Sequence, residues 1–300
     1  MSDQITLRSA VANLSGLTRA RELIKLGLRA ASNWRISNAW LLLLNSQPLL
    51  RKLVLLRPRL VYKVYRPYLS QALHSRQRLA ALRDHYCFVF ASGLGPLTLH
   101  AARTPATLGT ATGKSGSRFQ LALAAVGPME REGELVLQLL HNEIVVCNCA
   151  FSFIAGDQGM LLAIGCVQGP KGADGLQLVR EATRELHGLR PKNLLIRLLS
   201  QLACQHNCAG MRMVGNQNRV VASALRQGKV FADYDELWTE LDAKRRADGD
   251  FELACTQISA PCLEAIPSKK RAEMRRRYAI LDLFAKAVCR AVARSSAQYA

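Results

Sequence analysis

Three side chains in the middle of the chain, His141, Glu143 and His187, are of the types that hold and move a proton near neutral pH. Acyl transfer to an amine or hydroxyl needs such a base beside a held thioester. Glu143 adjoins the apolar run Ile144–Ile154, where burial would raise a carboxyl pKa. The alternative is that His141-Asn142-Glu143 is an exposed hairpin turn, where polar residues are the ordinary choice.

His187 also opens the stretch His187-Gly188-Leu189-Arg190-Pro191-Lys192-Asn193-Leu194-Leu195. Gly188 is a helix-stop signal, and Pro191 suits the first position of a new helix because it has no N–H to leave unpaired. The N–H groups and dipole of a helix start favour an anion, and Arg190 and Lys192 add cations beside them. Gly188, Arg190, Lys192 and Asn193 are therefore the expected anion or ligand site. The competing reading is a tight helix–helix corner carrying solvated basic residues. Lys269-Lys270-Arg271 and Arg275-Arg276-Arg277 supply further cations that could contact phosphates, or simply form a solvated helix face.

Nine cysteines, an odd number without framework spacing, point to reduced thiols and the cytoplasm. Cys147 and Cys149 share a strand face, and Cys204 and Cys208 stand four apart on an expected helix. Neither pair has the spacing of a zinc site, and no metal site is expected.

The elements that must place these residues follow from hydrophobic period. Residues 1–85 read as a basic helical region, with fifteen Lys and Arg against three Asp and Glu, cut by Pro48, Pro58 and Pro67. Leu49, Leu53 and Leu56 share a face edged by Arg51, Lys52 and Arg59. With Trp34 and Trp40 nearby, this stripe suits either a helix docked on its own protein or one lying on a membrane surface. Residues 86–300 read as a layered α/β unit. Tyr86–Ala91 is an expected strand and 92–117 an expected loop. Phe119–Val126, Glu134–Leu140, Ile144–Ile154 and Met160–Val167 follow as strands, the last three forming an antiparallel meander. Helices are expected at Leu176–Leu186, from Pro191 to about Gln205, at Arg219–Gln227 and at Tyr234–Lys244, the last capped by Asp233. Short strands are expected at Met211–Val214 and Phe251–Cys255. A basic helix runs from Ser268 to about Arg294, with Glu273 paired to Arg277. The fold class is α+β.

The overall charge of +19 should attract polyanions. Only 6% of residues are aromatic and no recognition motif accompanies the basic runs, so sequence-specific nucleic-acid binding is not expected. No secretory signal and no run of about 18 apolar residues is present.

Four segments in order resemble the VirK/YbjX family of bacterial proteins, also known as domain of unknown function 535. They are Leu186–Lys192, Asp233-Tyr234-Asp235-Glu236-Leu237-Trp238, Asp248-Gly249-Asp250-Phe251-Glu252-Leu253, and Ile266–Ala272 continued through Arg275–Tyr278. The resemblance covers about residues 65–285. It implies a link to virulence and to resistance against cationic antimicrobial peptides, and it carries over no catalytic residue. At the level of fold, the order of meander, polar turn, helix and short strand is similar to GNAT-type acyltransferases. Gln168–Ala173 and Gly188–Asn193 are the two turns that could hold a pyrophosphate, and Lys171 departs from that family's glycine pattern. The leading expectation is a cytoplasmic protein, peripheral at the inner membrane, that binds an acidic or acylated ligand, with transfer from acyl-CoA or another acyl thioester as the extension. The rival is a non-enzymatic protein docking on anionic membrane or on a partner. Nucleic-acid binding, a third reading, rests on charge alone.

Overall fold

Apolar residues three and four apart set the first helices. The computed structural model describes residues 4–172, 174–221 and 233–297. In it, α1 (Gly16–Ser32) turns Leu26 and Ala30 inward, and α2 (Trp34–Ser46) buries Ser37, Trp40 and Leu44. In α3 (Pro48–Leu56), Pro48 takes the first turn and Leu50, Leu53 and Val54 face the core. The stripe expected on this helix therefore packs against the protein itself: Leu53 is buried, and Leu49 and Leu56 are half-buried.

α4 (Ser75–Ala91) and α5 (Gly95–Arg103) correct two expectations. Tyr86–Ala91 is the end of α4, not a strand. Its run of Tyr, Phe and Val looks extended, but Leu82, His85, Tyr86 and Val89 are buried at helical spacing. Residues 92–117 hold α5 and a strand instead of a loop. The expected boundary between residues 85 and 86 falls inside α4.

One sheet follows, ordered β1-β2-β3-β4-β5-β6-β8-β7. Its first five strands are β1 (Ala106–Thr112), β2 (Arg118–Ala125), β3 (Leu135–His141), β4 (Ile144–Gly156) and β5 (Gly159–Gln168). They form a continuous antiparallel run. The chain then crosses through α6 (Gly175–Glu185) and α7 (Pro191–Gln205), and β6 (Gly210–Met213) pairs parallel to β5. Cys208 lies past the end of α7, so it does not share a helix face with Cys204. β8 (Phe251–Leu253) pairs antiparallel to β6, and β7 (Lys244–Arg245), antiparallel to β8, completes the sheet.

α8 (Tyr234–Thr239) is capped as expected, the Asp233 carboxylate accepting from the Glu236 N–H. It stops short of Lys244, because Asp242 takes a left-handed φ of 58° and the chain turns into β7. Arg219–Val221 are not helical, and the rest of the expected Arg219–Gln227 helix lies outside the described residues. The last helix, α9 (Ser268–Ala297), covers β1. A Cβ on Gly109 would sit 2.6 Å from the Ala287 Cβ, so α9 requires glycine at that point of β1, whose other residues apart from Leu108 are Ala and Thr. A strand of such small residues carries little hydrophobic signal.

A buried polar knot ties the N-terminal helices to the sheet. Lys63 Nζ lies 2.5 Å from Glu134 Oε1, the two residues being 5% and 0% exposed. The Tyr86 hydroxyl donates to the other Glu134 oxygen. The Glu134 N–H donates to Ser152 Oγ at 3.0 Å, and Ser152 meets the Tyr68 hydroxyl at 2.7 Å. Burial of a charge costs several kcal/mol unless it is paired and hydrogen-bonded, and here both conditions are met.

Candidate functional site

The corner between α6 and α7 is built as its residues require. His187 (φ 54°) and Gly188 (φ 80°) are both left-handed. The Gly188 N–H closes α6 by donating to the Thr183 carbonyl at 2.7 Å. A side chain on Gly188 would also collide with Arg277 of α9, whose Nη2 would be 2.4 Å from a Cβ. Arg277 donates from Nε to the His187 carbonyl and pairs with Glu273 at 2.5 Å, the expected i,i+4 pair. Leu186 and Leu189 are buried beneath the turn. Arg190 then adopts the extended conformation of an N-cap, and Pro191 begins α7. Among the described residues, the Lys192 and Asn193 N–H groups donate to no protein acceptor.

Beside this corner is a cavity of about 420 Å³. It lies between α7 and α9 and is not lined by the meander. Gly188, Leu189 and Arg190 form one wall, and Asn193 and Arg197 of α7 a second. Thr256–Ser259 and Pro261 form the third wall, and Met274, Arg277, Tyr278 and Leu281 of α9 the fourth. The third wall has no regular structure and is pinned to α7. The Thr256 N–H donates to Ser200 Oγ, and the Ile258 N–H to Gln201 Oε1, each at 2.7 Å.

The lining carries three arginines and no carboxylate. Their capacities differ. Arg190 pairs with Glu240 at 3.1 Å, and Lys192 lies 3.5 Å from the same carboxylate. Arg277 is committed to the corner. Arg197 has no protein partner among the described residues and is exposed. Asn193 Oδ1 is buried without a hydrogen-bond partner. A buried polar atom left unpaired is unfavourable and is rare in native structures, which makes this one informative. Ile258, Met274 and Leu281 give the same cavity apolar walls.

The other expected site residues lie elsewhere. Glu143 sits exposed at a hairpin tip, where Asn142 and Glu143 both have positive φ. His141 is 4% exposed, stacked on Phe119 at 4.6 Å, with Nε2 unpaired. The His187 imidazole is half-buried, and its pKa is held below the ordinary value by burial, then by Arg276 and Lys114. None of these three lines the cavity. An acyl thioester would need a base beside its carbonyl, and none of the expected bases is positioned there, so no transfer step is derived. Lys269 and Lys270 are exposed in the first turn of α9, and Arg271 donates to the Ile266 carbonyl at 2.8 Å, bracing the entry to that helix. In the turn after β5, Gly169, Lys171 and Gly172 are exposed, and Ala173 lies outside the described residues. The Cys147 and Cys149 thiols are buried, and burial pushes Cys147 up to about 12, so both are inert packing groups.

Arg197, the α9 residues Met274, Arg277, Tyr278 and Leu281, and the 256–261 wall line the cavity although sequence reasoning did not assign them to the corner. For Arg197 a signal existed: it stands four residues after Asn193 and seven after Arg190, on the same face of α7. The 256–261 wall offered none, because it has no periodicity.

The family model described as "Protein of unknown function (DUF535)" matches residues 15–290. The chain belongs to this family. A DUF535 relative from Escherichia coli strain K12, "Uncharacterized protein YbjX", is 30% identical over 260 residues, covering 85% of this chain and 78% of that protein. An "Uncharacterized protein" of Haemophilus influenzae is 31% identical over 172 residues, 56% of this chain and 55% of its own. "Membrane protein LapB" of Mannheimia haemolytica is 27% identical over 157 residues, 52% of this chain and 65% of its own. No solved structure matches, so the likeness to GNAT-type acyltransferases finds no support there. Among the described residues of this DUF535 chain, no helix is long and apolar enough to cross a membrane.

Proposed function

We propose that the cavity between α7 and α9 binds an acidic, acylated ligand. The observation that carries this reading is a cavity lined by three arginines and no acid, with apolar walls in the same space. Its volume is in the range of small-molecule sites. A phosphate or carboxylate would meet Arg197 and the first N–H groups of α7, where charge-assisted hydrogen bonds and the helix dipole both favour an anion. Asn193 would hydrogen-bond a polar group next to that head. An acyl chain would lie along Met274, Leu281 and Ile258. The word "membrane" in the name of the Mannheimia relative agrees with a ligand drawn from the acidic lipids of the envelope. The reading is of a binding protein, because the candidate bases stand away from the cavity.

The test is a calorimetric titration with dodecyl phosphate below its micelle concentration, compared with dodecyl maltoside. Saturable binding of the phosphate and none of the neutral sugar head is expected. Equal binding of both, or of neither, would refute the anion-reading cavity.

A further inference from the structure

Leu17, Ile24 and Leu28 of α1 are 90%, 64% and 69% exposed. Separations of seven and four residues stack them on one helical face. Leu23, Leu26 and Ala30 lie on the opposite side and pack inward. The helix thus has two apolar faces, and the protein covers one of them. Exposed Arg21 and Lys25 edge the uncovered strip, and Arg19, Arg29 and Arg35 are exposed around it. Trp34, 65% exposed, opens α2 directly after the α1 terminus. Between Gln4 and Arg83 the only acidic residue is Glu22, and Lys25 pairs with it at 3.1 Å.

We propose that this outer face of α1 docks on an anionic lipid bilayer, with the helix lying in the plane of the interface. Leu17, Ile24 and Leu28 would enter the boundary between head groups and acyl chains, and Trp34 would sit at head-group depth. The flanking Arg and Lys would meet lipid phosphates. Charge complementarity selects this occupant over a second copy of the chain: each copy carries +19, and the strip is rimmed by cations, so two such faces repel. The inference stands apart from the α7–α9 cavity and does not depend on it. It also differs from the expectation drawn on α3, whose apolar stripe is packed inward.

The test is cosedimentation of the full chain with vesicles containing phosphatidylglycerol and with pure phosphatidylcholine vesicles. Two variants accompany it, Leu17→Ser/Ile24→Ser/Leu28→Ser and Arg21→Glu/Lys25→Glu. All the substituted side chains are largely exposed, so folding should be retained, which circular dichroism checks. Wild type is expected to sediment with the anionic vesicles only. Release is expected near 1 M salt, where the Debye length falls from about 10 Å to about 3 Å. The Leu/Ile variant is expected to partition at least ~10-fold more weakly, well within what burial of three such side chains contributes. The charge-reversal variant is expected to partition at least ~10-fold more weakly because two cations facing the lipid phosphates become anions. Dodecyl phosphate binding should be unchanged in both variants. Three results would each overturn the proposal: equal sedimentation with both vesicle types, undiminished binding by the Leu/Ile variant, or self-association in sedimentation velocity that the Leu/Ile variant abolishes. The last would make the strip an interface between copies.

Discussion

Two clusters of charged side chains in this protein look alike in sequence and behave oppositely in space. Around Lys63, the buried charges are paired: the ammonium meets Glu134, Tyr86 takes the second carboxylate oxygen, and Ser152 links the strand to Tyr68. Around Asn193, capacity is left over: Arg197 lacks a protein partner among the described residues, and a buried amide oxygen is unpaired. The first cluster is shut away from solvent and joins the helical region to the sheet. In the second, Arg197 is exposed on the cavity wall with donors that no described residue uses. A basic residue therefore marks a site through the hydrogen-bonding capacity that the fold leaves unused, and charge alone does not reveal it.

The sharpest way to break this contrast is at the knot. Lys63→Met leaves the Glu134 carboxylate buried without its cation, and should lower unfolding stability by about 3–5 kcal/mol in urea denaturation. Lys63→Met combined with Glu134→Leu should recover most of that loss, because an apolar pair of similar size has no charge to strand. A loss below about 1 kcal/mol for the single variant would mean that the pair is not a scaffold.

Next in size is a pH effect on the same side of the molecule. His85 is fully buried, and its Nδ1 accepts from the Phe153 N–H at 3.1 Å. Desolvation, with Lys63 adding to it, lowers its pKa to about 3. The folded state thus holds the imidazole neutral while the unfolded state protonates it near 6.5, so unfolding takes up protons below that pH. Stability should fall as pH drops from about 6.5 toward 3. By pH 4.5 this one group should account for roughly 2–3 kcal/mol. His85→Gln, compared with wild type in urea at pH 7 and 4.5, should show a smaller decline over that window. Equal declines would remove His85 from the account.

The smallest effect sharpens the other side of the comparison. Glu240→Gln releases Arg190 and Lys192 from a largely exposed ion pair, so stability should change by no more than about 1 kcal/mol. Dodecyl phosphate should bind severalfold tighter, because Arg190 on the cavity wall and Lys192 beside it on α7 are freed. Unchanged affinity would place Arg190 and Lys192 outside the site.

Much of this was readable beforehand, for identifiable reasons. Gly188 and Pro191 punctuate strongly, so α7 begins where Pro191 requires. β3, β4 and β5 are apolar runs separated by short turns, so the antiparallel meander they form was legible from the sequence. Tyr86–Ala91 misleads because bulky residues with β propensity occupy a helix that packs on β4. β1 is hidden because the close approach of α9 to Gly109 forbids large side chains there. The helix–helix corner was legible from Gly188 and Pro191, but not the residues that complete the cavity beside it. Arg277 and the 256–261 wall arrive from α9 and from an irregular segment, and local pattern says nothing of such long-range neighbours.

Arg197 carries the central claim, since it is exposed, lines the cavity and has no role in holding the helices together. Arg197→Glu should therefore separate site from scaffold. Calorimetric titration with dodecyl phosphate is expected to show affinity at least ~10-fold weaker, in line with the roughly 1.5–3 kcal/mol of a hydrogen bond to a charged group. The urea midpoint of the ligand-free protein should stay where it is. An unchanged affinity, or a loss of affinity matched by a loss of stability, would contradict a ligand site between α7 and α9.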